Sequence, residues 1–205
     1  LSFDASGAIA KTQVYSTWKG RPYVRRYVVP GNPNSSEQQL TRNTFAWLNN
    51  VWKFFPASAI EGWNAYADSN RFTNRNGFIK LNNGPLRDQT DLTNMTISPA
   101  AQGGLIAEAV TPTPSAGQIS VALTAPDLPT GWSVVSAYAA AILDQDPQTG
   151  TDYEVVAGSD NSDPYTIVLD GLAAGDYLVG GWFKFLIPDG KNGYGRSLQS
   201  IVTVT

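Results

Sequence analysis

Apolar and β-favouring residues, Tyr, Val and Thr above all, are concentrated from Ala8 to Val29. The pattern predicts a β-hairpin: Ala8 to Trp18, a Lys19-Gly20 turn, then Pro22 to Val29. In Tyr23-Val24-Arg25-Arg26-Tyr27-Val28-Val29 both faces carry aromatic or aliphatic groups, and Arg25 and Arg26 fall on opposite sides. A strand with two half-apolar faces wants a partner on each. Pro30-Gly31-Asn32-Pro33-Asn34 breaks the strand, and a helical period follows. Leu40, Thr44, Trp47, Leu48, Val51, Trp52 and Phe55 recur at spacings of three and four, which predicts a helix from Ser35 or Ser36 to about Phe55, stopped by Pro56. Ser35 with Gln38, and Ser36 with Gln39, fit the capping-box spacing. A second such pair, Ser58 with Glu61, opens a shorter helix carrying Ile60, Trp63 and Tyr66. The two make a helical hairpin with a Trp-rich seam. Trp47, Trp52 and Trp63 are expected to be structural core residues, the alternative being an intersubunit contact for Trp47 or Trp63.

From Asn70 the texture is Asn- and Gly-rich and reads as loop. Residues 88–117, with Pro99, Gly103, Gly104, Pro112, Pro114 and Gly117, read as an extended arm. Beyond it, segments 118–124, 132–143, 152–157, 165–170, 176–187 and 196–205 are β-rich and separated by Pro, Gly, Asp and Asn clusters, which predicts an antiparallel sandwich. The expected architecture is an α+β N-terminal domain over residues 1–107, a linker at 108–117 and an all-β immunoglobulin-like sandwich over 118–205. Gly180-Gly181-Trp182 is expected to let a bulky ring approach the backbone, or to mark a bulge. Leu169-Asp170-Gly171-Leu172-Ala173-Ala174-Gly175-Asp176-Tyr177 resembles the corner between the fifth and sixth strands of fibronectin type III and related immunoglobulin-like domains. That resemblance makes Tyr177 a structural tyrosine corner, its hydroxyl bonded to upstream backbone.

Charge sharpens this division. Residues 1–107 carry eleven Lys or Arg against six Asp or Glu, a balance of +5, whereas residues 108–205 carry three against eleven, a balance of −8. Such polarity suits a protein that grips a partner with one end and faces solvent with the other. Lys19, Arg21, Arg25 and Arg26 are the candidate contacts, since Arg forks bind the carboxylates of an acidic protein surface bidentately.

Composition removes most catalytic classes. The chain has no histidine and no cysteine, so Ser-His-Asp, Cys-His and His- or Cys-ligated metal chemistry is ruled out. Carboxylate-only or Lys-based catalysis survives, but no spacing singles out a pair. Most acids of the second half sit in turn contexts such as Asp144-Gln145-Asp146-Pro147 and Ser159-Asp160-Asn161-Ser162-Asp163-Pro164, and turn carboxylates are the expectation. The first of these starts like an EF-hand loop, yet Gly150 falls at the seventh place and Val155 stands where the bidentate acid belongs. The sequence therefore implies no enzyme activity, no cofactor and no metal. No basic run of five occurs and the net charge is −3, which argues against a nucleic-acid partner despite the interleaved Tyr15, Trp18, Tyr23 and Tyr27. No stretch approaches the roughly 18 apolar residues of a membrane helix, and no signal segment is seen at the start.

The run Trp18-Lys19-Gly20-Arg21-Pro22-Tyr23-Val24-Arg25-Arg26-Tyr27-Val28-Val29-Pro30-Gly31-Asn32-Pro33-Asn34, then Gly62-Trp63-Asn64-Ala65-Tyr66-Ala67 and Gly77-Phe78, resembles a group of small tailed-bacteriophage virion proteins over roughly residues 7–86. The resemblance implies a structural component of the phage particle, assembled in the host cytoplasm, of the head-decoration (cement) type. It would be anchored through its N-terminal half on the major capsid protein, beside neighbouring copies of itself. The alternative is a tail-associated or adhesion protein whose sandwich binds a host surface glycan through Trp132, Tyr138 or Tyr194.

Overall fold

The computed structural model describes residues 7–29, 31–32 and 34–205. The expected breakers Pro30 and Pro33 lie outside the described residues. The chain divides into two compact units, Leu1–Ser35 and Ser36–Thr205.

The first unit is a three-stranded antiparallel sheet in the order β1 (Gly7–Ile9), β2 (Gln13–Trp18), β3 (Arg21–Arg26). The expected first strand is thus split. Ala10 and Lys11 turn back with φ of 47° and 54°, and the Thr12 amide and hydroxyl both donate to the Ile9 carbonyl. The Lys19-Gly20 turn joins β2 to β3 with both φ values positive, 48° and 77°, the backbone twist that suits a two-residue hairpin.

The second unit has three layers, because its central sheet is apolar on both faces. Strands β6 (Ser133–Leu143) and β9 (Gly175–Leu186) run side by side in the order β10 (Asn192–Tyr194), β9, β6, β7 (Val155–Asp160), and β11 (Leu198–Val204) also pairs with β9. One set of alternating residues, Ala137, Ala139, Ala141, Tyr177, Val179 and Phe183, packs against a smaller sheet in the order β4 (Ala109–Ser115), β5 (Gln118–Thr124), β8 (Tyr165–Asp170). The other set, Tyr138, Ala140, Ile142, Leu178 and Trp182, packs against helices α1 (Ser36–Val51), α2 (Ala57–Asn70) and α3 (Asn74–Leu86). Burial on both faces explains why β6 and β9 read as nearly unbroken apolar runs. It also replaces the expected division at 107–118. The helices share a core with the sheet, and residues 109–115, expected to be linker, form β4 paired along β5.

Further differences from expectation have local causes. The first helix ends at Val51, followed by a 3-10 turn over Trp52–Phe54. The second starts one residue before Ser58, behind Pro56, and uses no side-chain cap. The stretch from Asn74 is helical although Asn, Gly and Pro are poor helix formers. Thr73 caps it by accepting the Asn76 amide, Phe78, Ile79 and Leu86 bury one face, and Asn82 pairs twice with Thr96 (Asn82 Nδ2 to Thr96 O 3.1 Å, Thr96 N to Asn82 Oδ1 2.6 Å). Tertiary contacts override propensity here. The expected arm at 88–107 is a strap whose Leu92, Met95 and Ile97 are buried in the core between helices and sheet. Gly180 and Gly181 mark no bulge. A Cβ on Gly180 would stand 2.8 Å from Ile97 Cδ1 and one on Gly181 2.7 Å from Leu123 Cδ2, so each makes room for the layer on its own side. The bulge in this sheet lies instead between Val134 and Ser136.

Candidate partner-binding surface

The β2–β3 register sorts the first unit's side chains onto two faces. Val14 pairs with Arg25, Ser16 with Tyr23 and Trp18 with Arg21; Gln13 pairs with Arg26, Tyr15 with Val24 and Thr17 with Pro22. One face therefore bears Trp18, Arg21, Tyr23 and Arg25, and the other Tyr15, Val24 and Arg26. Of the expected contacts, Arg21 and Arg25 are brought together, Arg26 is on the opposite face, and Lys19 sits in the turn with Nζ 5.0 Å from the Trp18 ring centroid.

No described residue of this unit is buried. Trp18 is 66% exposed, Val28 68% and Val29 72%, so the described residues of the unit form no core of their own. Trp18, Arg21 and Tyr23 line a shallow apolar hollow of about 460 Å³. Unit Leu1–Ser35 carries five Lys or Arg against one Asp, a balance of +4. Among the described residues the ion pairs are Arg87–Glu37, Lys184–Glu61 and Lys191–Asp189, none of which involves Lys19, Arg21, Arg25 or Arg26. The sequence signal for the missed members was, for Tyr23, its spacing of two from both Arg21 and Arg25 and, for Trp18, its place opposite Arg21 across the two-residue Lys19-Gly20 turn. β3 also presents an open edge. Pro22, opposite Thr17, falls where the backbone nitrogen points away from β2, so the edge offers the amides of Val24 and Arg26.

The larger aromatics elsewhere are structural. Trp63 is fully buried and donates Nε1–H to the Ile97 carbonyl at 2.8 Å; Trp47 is buried, and Trp52 packs between Phe55, Trp63 and Phe78. Tyr177 is buried, with its hydroxyl 3.1 Å from the Ala173 carbonyl and 2.8 Å from Glu154 Oε2, to which it donates. Burial first, then the Glu154 carboxylate, raise its pKa far above the ordinary tyrosine value. The aromatic platforms expected for a glycan expose little of their rings. Tyr138 and Tyr194 are buried, and Trp132 is half-buried against Phe185.

Tyr138 and Tyr194 instead serve Glu61. Its Oε2 accepts from Lys184 Nζ at 2.9 Å, Tyr138 at 3.2 Å and Tyr194 at 3.3 Å, beside a polar cleft of about 350 Å³ that Asn64, Asp68 and Lys191 also line. Burial raises the carboxyl pKa, but the Lys184 ammonium and the two hydroxyls outweigh it and hold Glu61 below its ordinary value. An ionised carboxylate so engaged fastens α2 to β9 and is unsuited to donate a proton. The Asp-rich turns fasten themselves. Asp146 accepts the Gln148 amide and the Thr149 hydroxyl, and Asp160 accepts the amides of Ser162 and Thr166. Asp144 accepts the Leu92 amide at 2.7 Å; burial raises its pKa, that bond opposes the rise, and Asp91 and Asp176 add to it. Among the described residues no three acidic groups gather closely enough to hold a metal ion.

No protein-family profile and no curated protein matches the chain. Among solved structures, similarity extends to a myokine structure (15% identity, TM-score 0.34, over 50% of this chain and all of that one). It extends also to a polysaccharide deacetylase from Bacillus cereus (16%, TM-score 0.31, 46% of this chain and 29% of that one). A third is with fibronectin(III)-like modules from Clostridium thermocellum (20%, TM-score 0.24, 51% and 88%).

Proposed function

We propose that the chain is a structural, non-catalytic protein of a tailed-bacteriophage particle, a head-decoration (cement) protein that anchors on the shell through its N-terminal sheet and displays an immunoglobulin-like body. The observation that carries this reading is the first unit, which exposes aromatic, aliphatic and cationic groups on both faces and buries none of them. Such a sheet gains its stability from a partner. The resemblance over residues 7–86 supplies the setting, the major capsid protein as partner and the virion as location. The body's strand order supports a fibronectin type III-like assignment: its first, second and fifth strands (β4, β5, β8) form one sheet, and its third, fourth, sixth and eighth (β6, β7, β9, β11), with the short β10 at an end, lie in the other. The body carries nine Lys or Arg against sixteen Asp or Glu, a balance of −7, which favours solubility where it faces water.

Co-sedimentation with particles stripped of this protein tests the reading. The full chain should pellet with the particles and the Ser36–Thr205 fragment should stay in solution. Equal pelleting of both would refute the anchor, and pelleting of neither would refute the virion assignment.

A further inference from the structure

Resting on the attachment reading above, we infer that only one face of the N-terminal sheet is the docking face, the one bearing Trp18, Arg21, Tyr23 and Arg25. Its occupant is an acidic protein surface presenting two carboxylates and an apolar side chain. Arg21 and Arg25 stand four residues apart on one strand and one face, hence roughly 13 Å apart. Tyr23 lies between them, and the hollow formed by Trp18, Arg21 and Tyr23 adjoins. Each guanidinium is a planar fork without an intramolecular carboxylate among the described residues, and each suits a bidentate carboxylate. The hollow beside Arg21 suits an aliphatic or aromatic knob. Among the described strand residues the opposite face of β2 and β3 offers one cation, Arg26, flanked by Gln13, Tyr15 and Val24.

A protein fits this face better than a nucleic acid. The remaining 170 residues carry a balance of −7 and would repel a polyanion, whereas a protein can present acid locally. The exposed Trp18 and Tyr23 on this face add apolar area that a phosphate backbone would leave unused.

The test uses the full chain, labelled with a fluorophore, titrated onto particles stripped of this protein. Arg21→Glu with Arg25→Glu should weaken binding at least tenfold and Trp18→Ala at least fivefold, while Arg26→Glu should cost less than threefold. Arg21→Lys with Arg25→Lys, which keeps the charge and loses the fork, should fall between wild type and the double reversal. Zero-length carbodiimide coupling should join Lys19 to an Asp or Glu of a shell protein. An effect of Arg26→Glu equal to that of the double reversal would overturn the face assignment and leave the attachment reading intact. No effect of any variant would overturn both. A 20-base-pair DNA duplex that binds the chain and competes with the particles would overturn the acidic-protein partner.

Discussion

Glu61 on α2 and Lys184 on β9 meet at 2.9 Å across the boundary between the helical layer and the central sheet. The same carboxylate oxygen receives Tyr138 and Tyr194, so one helix side chain collects three donors from the sheet side. Glu61→Gln should cost about 1 kcal/mol in urea melts at pH 7, a figure held down because the Glu61 side chain is 40% exposed. The folded pKa of Glu61 is depressed, so its contribution is complete above the unfolded value near 4.3 and is lost as pH falls through the folded value. The variant should therefore differ from wild type at pH 7 and converge with it towards pH 3.

Asp144 predicts the opposite sign. Burial raises its folded pKa, the Leu92 amide only partly offsetting it, and Asp91 and Asp176 push the same way. A raised carboxyl favours folding when protonated, and this advantage is lost as pH rises through the folded value. Asp144→Asn keeps an acceptor for the Leu92 amide and removes the charge. Its urea midpoint should exceed wild type at pH 7, and the difference should vanish near pH 3.

Tyr177→Phe removes a buried donor from Glu154 Oε2 and leaves the nearby Ala173 carbonyl without it. The expected loss is about 1–3 kcal/mol. Tyr194, whose Gly193-Tyr194-Gly195 setting suggests a loose turn, is in fact buried and bonded to Glu61. Glu61 retains Lys184 and Tyr138 when that hydroxyl is removed, so Tyr194→Phe should cost about half a kcal/mol or less. Denaturant melts of the two variants in the full chain would compare them, and equal losses would count against Tyr177 as the more important donor.

What was legible in the chain followed the strength of its periodicity. The sandwich strands from Gln118 to Val204 and helices α1 and α2 announce themselves by alternation and by three-and-four spacing. Helix α3 was hidden because its stability resides in Asn82–Thr96 and in Phe78 and Leu86 contacts, which Asn- and Gly-rich composition does not reveal. The strap hid for the same reason, since Leu92, Met95 and Ile97 are scattered among turn residues and their burial is set by distant strands. The charge division near residue 107 was real in the count and misplaced in space. Most of the positive balance belongs to the first 35 residues, +4 of the +5. The cations of the docking face could be named from sequence, but their partition between faces required the Lys19-Gly20 register.

The unit boundaries give a direct expectation for fragments. Ser36–Thr205 should fold alone and melt within about 2 °C of the full chain, because none of the described residues it loses is buried. A 118–205 fragment would expose Tyr138, Ile142, Leu178 and Trp182 and should aggregate or bind a hydrophobic dye. Limited proteolysis should cut first between residues 27 and 35, and a first cut at 110–117 would contradict the three-layer body.

Cryo-electron microscopy of particles carrying the protein tests the central claim most directly. The account predicts density on the head shell in which the face bearing Trp18, Arg21, Tyr23 and Arg25 is buried against acidic side chains of a shell protein and the β-sandwich is exposed to solvent. A particle on which the sandwich makes the contact while Trp18 and Arg21 remain in solvent would contradict it.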